Sequence, residues 1–144
     1  MTAIDLQAAR ERFAASTDFT VGLEEEFGIL DPGSLELVGR FAELSAAAAA
    51  DPVLADAHAG ELIASEIEIR SGRGATFAQA LERQRGHRRA LFALAERHGV
   101  LLSATGTHPW SDYRQQRIID TEHYHRVEDG LRYVAWRRPC RARL

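Results

Sequence analysis

The chain has 144 residues, 45% apolar and 27% charged, with a formal net charge of −3; this is room for one ordinary core, little for two domains, and too hydrophobic for a disordered chain. All 18 basic residues are arginine, which excludes chemistry built on lysine, such as a P-loop or a Schiff base, and their scatter among acids argues against a nucleic-acid partner. The single Cys140 excludes an intrachain disulfide and a multi-cysteine metal site, and without an apolar span or signal-type stretch the expected residence is cytoplasmic, with no membrane partner.

Residues 4–15 place Ile4, Ala8 and Phe13 at helical spacing, which predicts a short helix or ordered lead-in. A first strand is predicted over residues 18–30. Asp31-Pro32-Gly33-Ser34 is a turn signal, followed by a return strand over residues 35–38 to make a β-hairpin. Strong helix formers fill residues 40–50, with Asp51-Pro52 as the stop, although the alanines at 46–50 equally suit a soft connection. Ile63, Ile67 and Ile69 mark a second acidic strand over residues 62–70, ended by Ser71-Gly72-Arg73-Gly74. Thr76 with Gln79 three residues later is a capping-box pattern, and Gly99 after His98 stops the helix between them. Residues 100–105 read as a buried strand, and residues 106–110 as a loop. A last helix is predicted from Asp120 or Thr121 to about Arg137. The order is that of an α+β domain with a largely antiparallel sheet.

Glu24, Glu25 and Glu26 interrupt an otherwise apolar run. Alternation along a strand puts Glu24 and Glu26 on one face with Gly22 and Gly28, and Glu25 on the other with Val21, Leu23, Phe27 and Ile29. Two such carboxylates, roughly 7 Å apart, repel by about 2 kcal/mol at an effective dielectric near 20. A hard dication reverses the sign of that interaction; the competing reading is a solvated polar face. The second strand repeats the device, with Glu66 and Glu68 on one face and Ile67 and Ile69 on the other, and Glu61 just upstream. If both acidic faces belong to one sheet, four or more carboxylates converge, which favours a divalent-metal site.

Three motifs in order, Gly22-Leu23-Glu24-Glu25-Glu26-Phe27, then Glu61 to Glu68 running into the Ile-rich strand, then Ala104-Thr105-Gly106-Thr107-His108-Pro109-Trp110, resemble the type 2 glutamate-cysteine ligases, or carboxylate-amine ligases. The likeness covers about residues 18–138. It implies a glutamine synthetase-like ligase fold, an antiparallel sheet forming a funnel that holds Mg²⁺ (or Mn²⁺), with ATP, glutamate and cysteine or another amine as small-molecule substrates. It also implies a reaction in which the glutamate side-chain carboxylate becomes an acyl phosphate and an amine displaces phosphate to give a γ-glutamyl amide.

Residue by residue, the resemblance makes Glu24, Glu26 and Glu68 metal ligands. Glu61 is a fourth, but its seven-residue separation from Glu68 requires a bend or a position before the strand begins. Arg126 matches a position that the family places near the substrate carboxylate, and Thr107 and His108 lie in a loop placed near the funnel. A surface ion pair for Arg126 and a simple turn for the loop are the bland alternatives. His123 and His125 sit about 200° apart on a helix and cannot share an ion. Trp110, Tyr113, Tyr124, Tyr133 and Trp136 are read as packing residues.

After Val134-Ala135-Trp136-Arg137 the family continues into a strand with a His-Val-His motif. Here the sequence reads Arg138-Pro139-Cys140-Arg141-Ala142-Arg143-Leu144, which resembles neither that continuation nor a strand. Residues 1–138 are therefore read as the N-terminal part of a single ligase catalytic domain, and residues 139–144 as an atypical basic tail arising from truncation or a frame change. Little or no turnover is expected of this chain by itself, with a non-catalytic divalent-metal-binding module as the alternative. Whether like chains associate is left open.

Overall fold

The computed structural model describes residues 5–131 and the backbone of residues 140–141. In chain order the elements are α1 (Leu6–Ala14), β1 (Glu24–Leu30), α2 (Phe41–Ala49), β2 (His58–Ala59), β3 (Glu66–Arg70), α3 (Phe77–Arg97), β4 (Leu101–Ser103), β5 (His108–Asp112), a 3₁₀ turn (Tyr113–Gln115), α4 (Glu122–Leu131) and β6 (Cys140–Arg141). The architecture is α+β, with a four-stranded antiparallel sheet in the order β2-β3-β1-β4.

Alternation divides this sheet into two chemically different faces. Phe27 and Ile29 of β1 join Ile67 and Ile69 of β3 in a fully buried core, against Leu44 and Ala48 of α2 and Leu91, Leu94 and Ala95 of α3. The alternate residues, Glu24, Glu26 and Gly28, face the other way and are paired across the ladder with Arg70, Glu68 and Glu66. One face is thus covered by helices and the other is left to polar groups, as antiparallel sheets allow.

Both core helices carry the expected sequence devices. Thr76 accepts a hydrogen bond from the Gln79 amide at 3.2 Å, and the Gln79 side chain reaches back to the Ala75 amide at 3.1 Å, so α3 opens on a capping box displaced by one residue. It closes at His98, followed by Gly99 at φ +63°. The alanine-rich segment is helical, because Leu44 and Ala48, four apart, bury one side of α2 completely. Its start is tied to the end of α3 by Glu43, which receives Arg40 at 2.6 Å and lies 2.8 Å from His98 Nδ1.

Several elements differ from the sequence expectation. The first strand starts at Glu24, not residue 18, because the chain turns at Phe19, whose φ is +58°; Val21 makes only a single bridge to Gly74. The return of the hairpin is one bridge, Leu30 to Leu37, and not a strand. Asp31 Oδ1 gathers the Gly33 and Ser34 amides and the Ser34 hydroxyl, Leu35 turns at φ +60°, and the pairing ends almost at once. The second acidic strand is shorter than 62–70: Ile63 bridges Ile118, and pairing with β1 begins at Glu66. The two-residue β2 has no period that a sequence could reveal.

Residues 106–110 are not all loop, since His108 starts β5 after a turn at Gly106, φ +69°. The tail, expected to carry no strand, supplies β6, whose backbone pairs in parallel with β5 across a bulge. The lead-in helix forms, capped by Asp5, yet buries none of its residues; Phe13 stays 81% exposed. Helix α4 starts where predicted, with Thr121 Oγ1 accepting from the Tyr124 amide. Its continuation to residue 137, with Tyr133 and Trp136, lies outside the described residues.

Candidate functional site

The β1–β3 register puts Glu26 opposite Glu68 on the face away from α2 and α3. Glu61, in the loop before β3, completes a group in which one carboxylate oxygen from each of Glu26, Glu61 and Glu68 lies within 4.8 Å of the others. The separation that ruled out a regular strand is resolved by Glu61 standing ahead of β3 and not within it. Glu24 lies outside this group of three. It faces Arg70 across the ladder, one side-chain repeat along from Glu26.

Glu68 carries the electrostatic cost of the arrangement. Its carboxyl is held above the ordinary carboxylate range first by burial, then by the charge of Glu24, with smaller contributions from Glu61 and Glu26, and Arg70 opposing them. The Arg70 guanidinium, at 3.4 Å, is on the same strand face and half-exposed. Tyr124 borders the cluster as well: burial, then Glu61 and Glu68, push its phenol upward. The donors are oxygens only, clustered and partly desolvated, so the set fits a hard dication such as Mg²⁺ or Mn²⁺ and not a thiophilic metal.

Next to Glu26 the acidic face runs into a small cleft lined by Gly28, Glu66, Ser103, Thr105 and His108 among others. Gly28 keeps the cleft open, because a Cβ there would stand 2.9 Å from Ser103 Oγ and 3.1 Å from Leu37 Cδ2. His108 is 5% exposed and has both ring nitrogens engaged. The Ser111 amide donates to Nδ1 at 3.1 Å, so Nε2 carries the proton that goes to the Leu35 carbonyl at 2.8 Å. The ring thereby ties the 106–110 segment to the turn after β1. Thr107 is exposed beside it.

Arg126 is not brought to the acids by any described contact. It is exposed on α4 and pairs with Glu122 one turn earlier, at 3.2 Å. Tyr124 and Val127 hold the opposite side of that helix against Leu62 and Ile63. His125 pairs with Asp120 and Glu128, and the His123 ring meets Tyr124 edge-on, so the two histidines go separate ways as the helical geometry requires. Glu25 is on the core side as expected: Arg88 donates to it at 2.8 Å and Gln84 at 3.0 Å.

Two contributors went unread in the sequence. Tyr124, a packing residue by its sequence, donates through its hydroxyl to the carbonyl of Gly60, directly before Glu61. Gly60 sits where a Cβ would meet Ile119 Cδ1 at 2.7 Å and Phe41 Cζ at 2.8 Å. A glycine immediately before a lone acid outside any strand was the available signal for the second; nothing local points to the first, which is a partner 64 residues away.

The fold and this face describe an α+β protein whose antiparallel sheet presents clustered carboxylates. The family model of glutamate-cysteine ligase family 2 (GCS2) matches residues 20–137, and the chain belongs to that family. Among similar curated proteins, one from Rubrobacter xylanophilus named "Putative glutamate--cysteine ligase 2-2" is 36% identical over 80% of this chain and 29% of its own length. A namesake, 2-3, from the same organism is 35% identical over 86% of this chain and 34% of its own length. One from Sorangium cellulosum, ligase 2 in the same naming, is 35% identical over 81% of this chain and 31% of its own. The chain thus spans about a third of the length of the curated relatives it matches. Among the described residues no helix is long and apolar enough to cross a membrane.

Proposed function

We propose that this chain supplies part of the catalytic domain of an ATP-dependent carboxylate-amine ligase, one that joins the side-chain carboxylate of glutamate to the amine of cysteine or a related acceptor by way of an acyl phosphate. The observation that carries the reading is the convergence of Glu26, Glu61 and Glu68 on the side of the sheet away from α2 and α3 in a chain of this family. These three would hold Mg²⁺ or Mn²⁺, with Glu24 adding negative charge beside them. A dication there supplies charge neutralisation to phosphate oxygens, where negative charge accumulates during phosphoryl transfer.

The chain's own residues do the rest of the positioning. Gly28 leaves room beside Glu26, and His108, which lines the cleft, fixes the segment that carries Thr107. Thr107 and His108 are proposed to face substrate, and Arg126 to meet the substrate carboxylate by exchanging its exposed Glu122 partner. Cytoplasmic operation on small molecules belongs to the same reading. The acid cluster by itself carries a second reading, a divalent-cation-binding unit without turnover.

Phosphate release from ATP, with glutamate, Mg²⁺ and a panel of amines, separates the two readings when run beside a Mg²⁺ or Mn²⁺ titration. Cysteine-dependent phosphate release establishes ligase activity in this chain, and binding without release leaves the chain, taken by itself, as a cation-binding unit. The absence of both cation binding and cation-dependent thermal stabilisation would sink both readings, since an ion that binds the folded chain must stabilise it.

A further inference from the structure

Glu61 lies two residues beyond the end of β2, outside the ladder that aims Glu26 and Glu68. The segment 60–64 is held by residues 117–124 on one side and by Phe41, whose amide donates to the Ala64 carbonyl at 2.9 Å, on the other. The Ala64 amide donates to the Arg117 carbonyl at 2.8 Å, the Ile119 amide donates to the Leu62 carbonyl at 3.1 Å, and Ile63 bridges Ile118. Gly60 is wedged between Phe41 and Ile119 with no room for a side chain. Directly before Glu61, the Tyr124 hydroxyl donates to the Gly60 carbonyl. That oxygen belongs to the peptide group joining Gly60 to Glu61, so the bond fixes the plane from which the Glu61 side chain departs. Released, that plane could rotate about the bonds on either side of it, which glycine restrains least of all residues.

We propose that Tyr124 is a positioning residue for the acidic cluster, acting through the Gly60–Glu61 peptide to hold Glu61 within reach of the ion shared with Glu26 and Glu68. The inference rests on the divalent-cation reading of that cluster. Tyr124 touches neither ion nor substrate; its effect is on how often the third carboxylate is in place. Its ring also packs on Leu62 and Ile63, so Tyr124→Phe, which keeps the ring and removes the hydroxyl, isolates the hydrogen bond. Val127→Ala loosens the same apolar cluster and leaves the hydroxyl intact.

The test is a Mn²⁺ titration of the 144-residue chain, following the electron paramagnetic resonance signal of free Mn²⁺ at a temperature where circular dichroism shows every variant folded. Tyr124→Phe should weaken Mn²⁺ binding about tenfold, the size expected when the support of a ligand is lost, while the ion-free melting temperature moves little. Val127→Ala should lower the ion-free melting temperature and leave affinity within about twofold, a margin small against that tenfold loss. Equal affinity in wild type and Tyr124→Phe overturns the inference, as does an equal loss in Val127→Ala, which would assign the effect to packing. A wild-type chain that binds no Mn²⁺ overturns the cation reading itself. Binding by wild type that is lost in Glu68→Gln and unchanged in Tyr124→Phe leaves the reading standing and the inference refuted.

Discussion

Glu26 and Glu68 are directly opposed Cα partners in the β1–β3 ladder, on the face that α2 and α3 do not cover. Like charges in that relation work against the sheet that holds them, and the core of Phe27, Ile29, Ile67 and Ile69 on the reverse side supplies the stability that keeps them there.

Glu68→Gln is therefore expected to stabilise the ion-free protein, by about 0.5–1 kcal/mol, the scale of an unfavourable cross-strand pair. The folded carboxyl is held above its ordinary value of 4.5, so the folded state binds the proton more tightly than the unfolded state. Wild-type stability from this group should fall as pH rises through about 4.5 and beyond. Adding Mg²⁺ should raise the wild-type melting temperature and leave that of the variant nearly unchanged. Melts at several pH values, with and without ion, give all three comparisons.

Glu43 should behave in the opposite sense. Arg40 and then His98 hold its carboxyl down to about 2, from an ordinary 4.5. The stability it contributes is full above pH 4.5 and is lost as pH falls toward 2. Glu43→Gln should remove that part of the acid destabilisation, seen as a flatter dependence of melting temperature on pH across this window. Because the group is exposed, high salt should shrink the difference.

Gly60→Ala should destabilise by about 1–3 kcal/mol, the usual cost of overpacking, since its Cβ would stand 2.7 Å from Ile119 Cδ1 and 2.8 Å from Phe41 Cζ. Valine lacks the Cδ1 atom. Ile119→Val in the same chain should recover part of the loss but not all of it, the Phe41 clash remaining. A double-mutant cycle on urea melts measures the coupling, and strict additivity would count against the wedge.

His108→Phe should cost about 1–3 kcal/mol, because the buried Ser111 amide would lose its acceptor and the Leu35 carbonyl its donor. His108→Gln, with a shorter reach and one acceptor, should restore only part of this. Hydrogen exchange of the Ser111 amide reports the loss at the site.

The acidic face was readable because its signal is local: a period of two in two segments, each with isoleucine or phenylalanine on the alternate positions. The same holds for the α3 cap, where Thr76 and Gln79 are three residues apart. Contacts that close over long separations left little trace. Gln84 and Arg88 on Glu25, Tyr124 on Gly60 and His108 on Leu35 are made by residues that by themselves suit a surface or a core equally well. Strand ends failed where a single backbone angle decided them, as at Phe19 and Leu35, non-glycine residues with positive φ that sequence preference argues against.

The strict alternation of β1 has one further effect. A pairing error of one position between β1 and β3 would turn Glu66 and Glu68 toward α3 and expose Ile67 and Ile69 to water. The carboxylates that cost the folded sheet stability thus act as proofreaders of its assembly, making a sheet slipped by one position far worse than the correct one.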